Sequence, residues 1–436
     1  MLTIIEDKPK LVLGAEKWQA APFRFLDNLQ VFEDSGDPGY ELPNGYIKLK
    51  WVESDGTAYL NTGIYATVNT GARVKYEYTE SGSAAILGVY HASPRDDALF
   101  ISTNSGVLDT TNVFAAHGGA TIQNGPVALN TEYTTSINFK GDGKIYVGNT
   151  VGPIGTTTPY NQYPILLGAR YNAGNGNVTG SHSKIKIAEF TEGKVFSHRY
   201  IPCINPNGVA GYYDVVTRTF EGSSTSTPFI AGPVVLPDGY TQVASLTGLS
   251  GAASFGTGVL GGTDNIRIKF TALKDNPVAY SPFFGNYVNE NTNCTRAIVG
   301  TGATGIIAEI NRKAGNSTIV NTINTGVEHT YELYKEEGIS ILKVDGEIVE
   351  QMADSAGTEN NNEIAINASN VRTTPVAGVA TTYKGYFLIY ISDELVRGYI
   401  PVVRDSDNIA GYYDIVHHRF NSSIFEDYPF TAGLII

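Results

Sequence analysis

The chain has 436 residues, a formal net charge of −13, 17% charged residues and two cysteines. An acidic chain without a basic stripe lacks the means to neutralise phosphates, which excludes a nucleic-acid binder. Two cysteines cannot form a disulfide framework. Glycine (48), tyrosine (27) and phenylalanine (18) are abundant, and short β-branched and aromatic runs alternate with Gly, Asn, Asp and Pro clusters. That pattern predicts an all-β sandwich or barrel.

Residues 1–41 belong to no repeat. Trp18, Phe23, Phe25, Leu26, Leu29, Val31 and Phe32 place many large apolar groups in a segment too short for its own core. It must bury them against something else, either the next domain or a partner, so it is expected to act as a docking segment. Met1–Lys10 lacks the basic start and apolar run of an export signal, and no run of about 18 apolar residues occurs in the chain. The expectation is a soluble, non-exported protein with no membrane partner.

The next stretch, 42–233, opens with Leu42-Pro-Asn-Gly-Tyr46 and the alternating run Tyr46–Val52, read as a half-exposed strand. Tyr59-Leu-Asn-Thr-Gly63 leads into a second alternating run, Arg73–Tyr78. The continuous apolar runs Ala84–Tyr90 and Ala98–Ile101 predict strands buried on both faces. Tyr133–Phe139, Lys144–Val147, Ile165–Leu167 and Ser183–Phe190 complete the set, with Asp142-Gly143 as a turn and Gly174–Gly180 as a flexible loop.

Residues 234–436 repeat this plan. Leu236-Pro-Asp-Gly-Tyr240 opens the second unit, Ser254-Phe-Gly-Thr-Gly258 stands where Tyr59–Gly63 does, and Ile266–Phe270, Phe283–Tyr287, His329–Tyr334, Ile339–Val344 and Gly385–Ile391 are its strands. The most alike stretches lie near the end of each unit. Tyr200-Ile-Pro202 leads to Ala210-Gly211-Tyr212-Tyr213-Asp214 and Phe220; Tyr399-Ile-Pro401 leads to Ala410-Gly411-Tyr412-Tyr413-Asp414 and Phe420. The chain therefore carries two diverged copies of one domain, joined by the short linker Gly232–Pro237, which predicts a restrained orientation.

Within the signature, Asp214 and Asp414 are expected to open a tight turn by accepting backbone N–H bonds two or three residues on. Gly211 and Gly411 are expected to allow close approach of another backbone or a positive φ. Tyr212 and Tyr213, like Tyr412 and Tyr413, are expected to face opposite sides, one into the core and one outward. Pro202, Phe220, Pro401 and Phe420 complete this structural signature. Cys203 and Cys294 are expected to be buried free thiols.

This combination, with Lys184-Ile-Lys-Ile-Ala-Glu-Phe190, Tyr200-Ile-Pro-Cys203 and Phe229-Ile-Ala-Gly-Pro233, resembles the LamG-like, concanavalin-type jelly-roll domains. Those occur in gut-bacterial surface proteins and in virion proteins of their bacteriophages. The resemblance implies two tandem antiparallel jelly-roll β-sandwiches with a binding or structural role, and it weakens in the second copy, where Val402 replaces the cysteine.

Chemistry leaves few candidates. Glycoside hydrolysis needs two carboxylates across a cleft, and no Glu-x-Asp-x-x-Glu string occurs. The histidines do not cluster with acids at metal-ligand spacing, with His417-His418 placed in a solvated turn. No Gly-x-Ser-x-Gly elbow and no phosphate loop is present. The expected catalytic and cofactor residues are therefore none, with calcium possible and a metal site unknown.

The resulting expectation is a non-enzymatic virion component (capsid decoration, auxiliary capsid or head-fibre protein). It is expected to form homo-oligomers and to dock to other virion proteins through residues 1–41. The alternative is a tail-associated or cell-surface module that binds host glycans or a receptor; a glycoside hydrolase ranks third.

Overall fold

A computed structural model describes residues 42–436 except 81–84, 92–96, 104–111, 126–127, 250–251, 264, 275–281, 288–292, 300–305, 314–326, 354–361 and 369–379. The expected docking segment 1–41 lies outside the described residues.

The described chain is all-β: two tandem antiparallel jelly-roll sandwiches. In the first, one sheet runs in the order Thr150–Pro153, Lys144–Val147, Tyr133–Ile137, Thr70–Tyr78, His182–Glu192, Val195–Ile204, Ala210–Asp214, Thr219–Glu221. In the second, the corresponding order is Glu347–Ala353, Ile339–Val344, His329–Glu336, Ile266–Leu273, Ala380–Ile391, Glu394–Arg404, Ile409–Asp414, Arg419–Asn421. The two orders match strand for strand. Even the irregularities correspond, because the register slips between Phe190 and Thr191 in one copy and between Ile389 and Tyr390 in the other.

The facing sheet of the first sandwich contains Ala85–Tyr90 and Leu99–Thr103, buried along their whole length as their apolar runs predict. Two segments differ from expectation. Asn177–Gly180, the last part of the stretch Gly174–Gly180 read as a flexible loop, pairs antiparallel with Ala169–Asn172 as a short edge strand. Residues Val113–His117 and Ala120–Asn124 form an unpredicted hairpin on the same sheet.

The alternating strands bury one face inside each sandwich. Val74, Tyr76, Ile185, Tyr200 and Tyr212 lie in the first core; Ile268, Phe270, Phe387, Tyr399 and Tyr412 lie in the second. The outer face of the second copy's large sheet is also buried. Leu388, Tyr390, Leu395, Ile400, Val402 and Tyr413 belong to one continuous apolar cluster with Ile47, Leu49 and Ile204 of the first copy. Asn44 donates to Glu394 at 3.1 Å and Lys269 donates to the Asn207 carbonyl at 3.1 Å across the same junction. Residues Asn44–Ile436 accordingly form one compact unit.

Lys274 is an exception to the apolar rule inside the second sandwich. It is 3% exposed, donates to the Pro282 carbonyl at 3.1 Å and to the Thr381 hydroxyl, and lies over the Phe283 ring. Desolvation pulls its ammonium group down to about 7.

Two outcomes follow from this packing. Calorimetry of the native chain should show one cooperative unfolding transition for the two sandwiches. Leu395→Asp, which puts a charge into the junction, should split it into two. Lys274 has a folded-state pKa below its unfolded one, so the unfolded chain binds the extra proton between those values. Native stability should therefore rise, relative to Lys274→Met, as the pH increases from about 7 towards about 10.5, read from paired denaturant titrations.

Candidate binding site

The signature hairpin is built around its aspartate. Asp214 is fully buried, and its Oδ1 accepts from the backbone N–H of Arg199 at 2.9 Å and of Val216 at 3.0 Å, while Oδ2 accepts from the Thr217 hydroxyl at 2.8 Å. Asp414 repeats the arrangement with the N–H groups of Gly398 at 3.3 Å and Val416 at 3.0 Å. One carboxylate thus ties the strand, the turn after it and the neighbouring strand together. His417, expected to be a solvated turn residue, is half exposed but reaches Asp414 at 3.2 Å, with Arg397 beside both.

Gly211 and Gly411 serve close approach. A Cβ at Gly211 would stand 2.4 Å from the Glu221 carbonyl and 2.8 Å from the Phe220 ring; at Gly411 the same distances, to Asn421 and Phe420, are 2.5 and 2.7 Å. The tip of the returning phenylalanine ring therefore lies against the glycine, which explains why the two residue types recur together.

Tyr212 and Tyr412 are fully buried, packed edge-on against Phe229 at 5.4 Å and Phe430 at 5.6 Å. The expectation that the second tyrosine of each pair faces outward needs correction. Tyr213 is 7% and Tyr413 4% exposed. Tyr46 covers the first at 5.1 Å and Tyr240 covers the second at 4.8 Å, with Phe220 and Phe420 as the third ring of each group. The recurring Gly-Tyr openings exist to lid these rings.

Pro202 and Pro401 sit where a strand changes neighbours. Val195–Ile204 pairs with His182–Glu192 as far as Tyr200 and with Ile47–Lys48 from Cys203 onward. Cys203 is buried and free, and burial pushes its thiol up to about 12, so it is inert packing. Cys294 lies on the strand Asn293–Val299, and its side chain is outside the described residues.

None of these residues opens onto a cleft. Among the described residues no group of three or more His, Cys, Asp or Glu side chains is arranged to hold a metal ion, and no helix is long and apolar enough to cross a membrane.

A different constellation faces solvent in the first copy. Tyr163 and Tyr171 stack at 3.7 Å with their planes 17° apart. Tyr59 and Tyr65 lie close enough to Tyr163 to add, with Tyr171, to the rise that burial causes in its hydroxyl pKa. Tyr65 is 55% exposed, the most exposed Phe, Trp or Tyr among the described residues. Strand pairing explains the convergence: Leu60–Asn61 pairs with Leu166–Leu167, and Ala169–Asn172 joins the same sheet. The four tyrosines are far apart in sequence, so no local motif could reveal them.

Three asparagines border this cluster in the chain. Asn61 accepts from the Gly63 N–H, Asn172 from the Gly174 N–H and Asn175 from the Asn177 N–H, all near 3 Å. Each carbonyl is held in a local turn, and the side-chain amide keeps its donors for other contacts.

No protein-family model matches the chain, and no curated protein matches it. Among solved structures, it is similar to domains LG4-5 of the mouse laminin alpha1 chain, at 12% identity and a TM-score of 0.26, over 83% of this chain and 94% of that one. It is also similar to the LG1-3 region of the laminin alpha2 chain, at 10% identity and a TM-score of 0.26, over 80% of this chain and 64% of that one. A Trypanosoma rangeli sialidase is similar at 10% identity and a TM-score of 0.24, over 69% of this chain and 64% of that one. The fold assignment above rests on the strands themselves.

The hairpin geometry predicts a graded response at Asp214. Asp214→Asn keeps an acceptor for the two N–H groups and should cost about 1 kcal/mol, whereas Asp214→Ala orphans them and should cost about 3 kcal/mol. Denaturant midpoints of the two variants check the order.

Proposed function

We propose that the chain is a non-enzymatic structural and display protein of a bacteriophage particle, presenting two jelly rolls on its surface. The observation that carries this reading is the use made of the recurring acids. Asp214 and Asp414 are consumed in holding turns and strands, fully buried and bonded to backbone N–H groups. A hydrolase would instead need two carboxylates facing each other across open space.

The welded junction between the copies supports the same reading. A display element profits from a rigid body that keeps its two domains at a fixed orientation. The setting on a phage particle rests on the resemblance of the Tyr-Ile-Pro and Ala-Gly-Tyr-Tyr-Asp signature to virion jelly rolls. In that setting, residues 1–41 dock to other virion proteins and the protein assembles as a homo-oligomer.

A second reading, a glycan- or receptor-binding module on a phage tail or a cell surface, is favoured by one observation: the solvent-facing tyrosine cluster of the first copy.

Mass spectrometry and electron microscopy of purified particles from the source material decide between these. Stoichiometric density on the capsid is expected. Density confined to the tail tip would favour the second reading, and absence of the chain from particles would overturn the virion assignment.

A further inference from the structure

We propose that Tyr59, Tyr65, Tyr163 and Tyr171 form a stacking site for an uncharged sugar ring, present in the first copy and lost from the second. This deepens the binding reading above and rests on it.

The first argument is exposure. Every other Phe, Trp and Tyr of the described chain is buried or only partly exposed, as Tyr213 is beneath Tyr46. Tyr65 is left 55% exposed, next to Ile64, whose carbonyl accepts from the Ile165 N–H at 2.8 Å two residues from Tyr163 of the stacked pair. A tyrosine ring presents a flat apolar face and a polar hydroxyl. That combination suits a pyranose, whose C–H face stacks on the ring while its hydroxyls take hydrogen bonds.

The second argument is polarity. The side-chain amides of Asn61, Asn172 and Asn175 retain donors after their carbonyls are committed to local turns. Amides fixed on the segments that carry the rings supply the few oriented polar groups that a small-molecule site needs.

The third argument is charge. Residues 57–66 contain no charged side chain, and residues 160–181 contain one, Arg170. Arg170 is 6% exposed and lies over the Tyr90 and Phe100 rings at 5.2 and 5.6 Å. These two segments therefore offer no solvent-facing cation to a carboxylated or sulfated sugar, which favours a neutral ligand.

The fourth argument comes from the duplication, which supplies an internal control. Thr62 and Thr257 hold the same place in both copies: their hydroxyls donate to the carbonyls of Ile165 and Ile364, and their carbonyls accept from Tyr200 and Tyr399. Counting from that shared threonine, Tyr59, Asn61 and Tyr65 correspond to Ser254, Gly256 and Leu260. The scaffold of the stretch is kept while the two rings and the amide that it carries in the first copy are missing. Glu363 instead lies against Gly256 and accepts from the Gly258 N–H at 2.6 Å.

The test uses the purified full chain without particles. It is titrated against immobilised neutral oligosaccharides built on glucose, galactose, mannose and N-acetylglucosamine, with sialylated and uronate-containing counterparts and proline-rich peptides as competing probes. Binding to neutral oligosaccharides is expected, weakened about tenfold or more in Tyr65→Ala and Tyr163→Ala and retained in Tyr65→Trp. Tyr65 is exposed, so its variants should keep the native melting temperature, which guards against a folding artefact. Preference for charged sugars, binding only to the peptides, undiminished binding by Tyr65→Ala, or no binding to any probe would each overturn the proposal. None of these outcomes bears on the particle assignment, which the inventory of virions tests separately.

Discussion

The structure turns on the alternation of one short strand. In Ile409–Asp414, Tyr412 points into the second sandwich and Tyr413 points the other way, into the apolar cluster shared with the first copy. Successive residues of a strand face opposite sides, so two adjacent tyrosines belong to two different cores. Asp414 then fixes the strand's end through the N–H groups of Gly398 and Val416. A slip of one residue would exchange the two rings and empty both cores at once. This explains why glycine, two tyrosines and aspartate travel together: each answers to the position of the others.

The two copies differ most where their surroundings differ. At the strand positions where the second copy has Lys269, Leu388 and Gly398, the first has Arg73, Glu189 and Arg199. Glu189 is fully buried between the two guanidinium groups, at 2.6 Å from Arg73 and 3.1 Å from Arg199. Removing one member of such a triad would strand a buried charge, whereas replacing the whole set by apolar groups avoids the desolvation cost. In the second copy Leu388 and Gly398 replace the acid and one arginine, the remaining cation, Lys269, donates to the Asn207 carbonyl at 3.1 Å, and Leu388, Leu395 and Ile400 of that face meet the first copy. A leucine in place of the buried carboxylate thus gives the second copy an apolar outer face without any change in strand order.

Much of this was legible in the residues. The repeat, the alternating and doubly buried strands, the aspartate-held turn and the glycine needed for close approach are all local or periodic features, and each appears where the spacing places it. The outward tyrosine was misread because alternation gives the side a ring faces but not what covers that side. Its cover, Tyr46 or Tyr240, lies over 160 residues away in the chain. The tyrosine cluster was invisible for the same reason, since the pairing of Leu60–Asn61 with Leu166–Leu167 alone brings Tyr59 near Tyr163. Asn177–Gly180 belongs to a stretch, Gly174–Gly180, whose glycines and asparagines disfavour strands, and sheet pairing overrides that preference at its end.

Proline in the middle of a sheet would ordinarily contradict a strand assignment, and its position here shows how the outer layer is assembled. The Pro202 carbonyl accepts from the Leu49 N–H at 2.9 Å, and the Pro401 carbonyl accepts from the Val243 N–H at 3.0 Å. In an antiparallel ladder a residue's nitrogen and carbonyl face the same neighbour. The ring nitrogen therefore falls in the gap between the departing strand, last paired at Tyr200 or Tyr399, and the arriving one, first paired at Cys203 or Val402. A residue with an N–H there would leave a buried donor without a ladder partner; proline has none to leave. The same exchange admits the opening segment of each copy into the sheet, and with it Tyr46 or Tyr240. The proline and the lid tyrosine are thus two ends of one device, which lets a strand end early on one side so that a ring can close over the other.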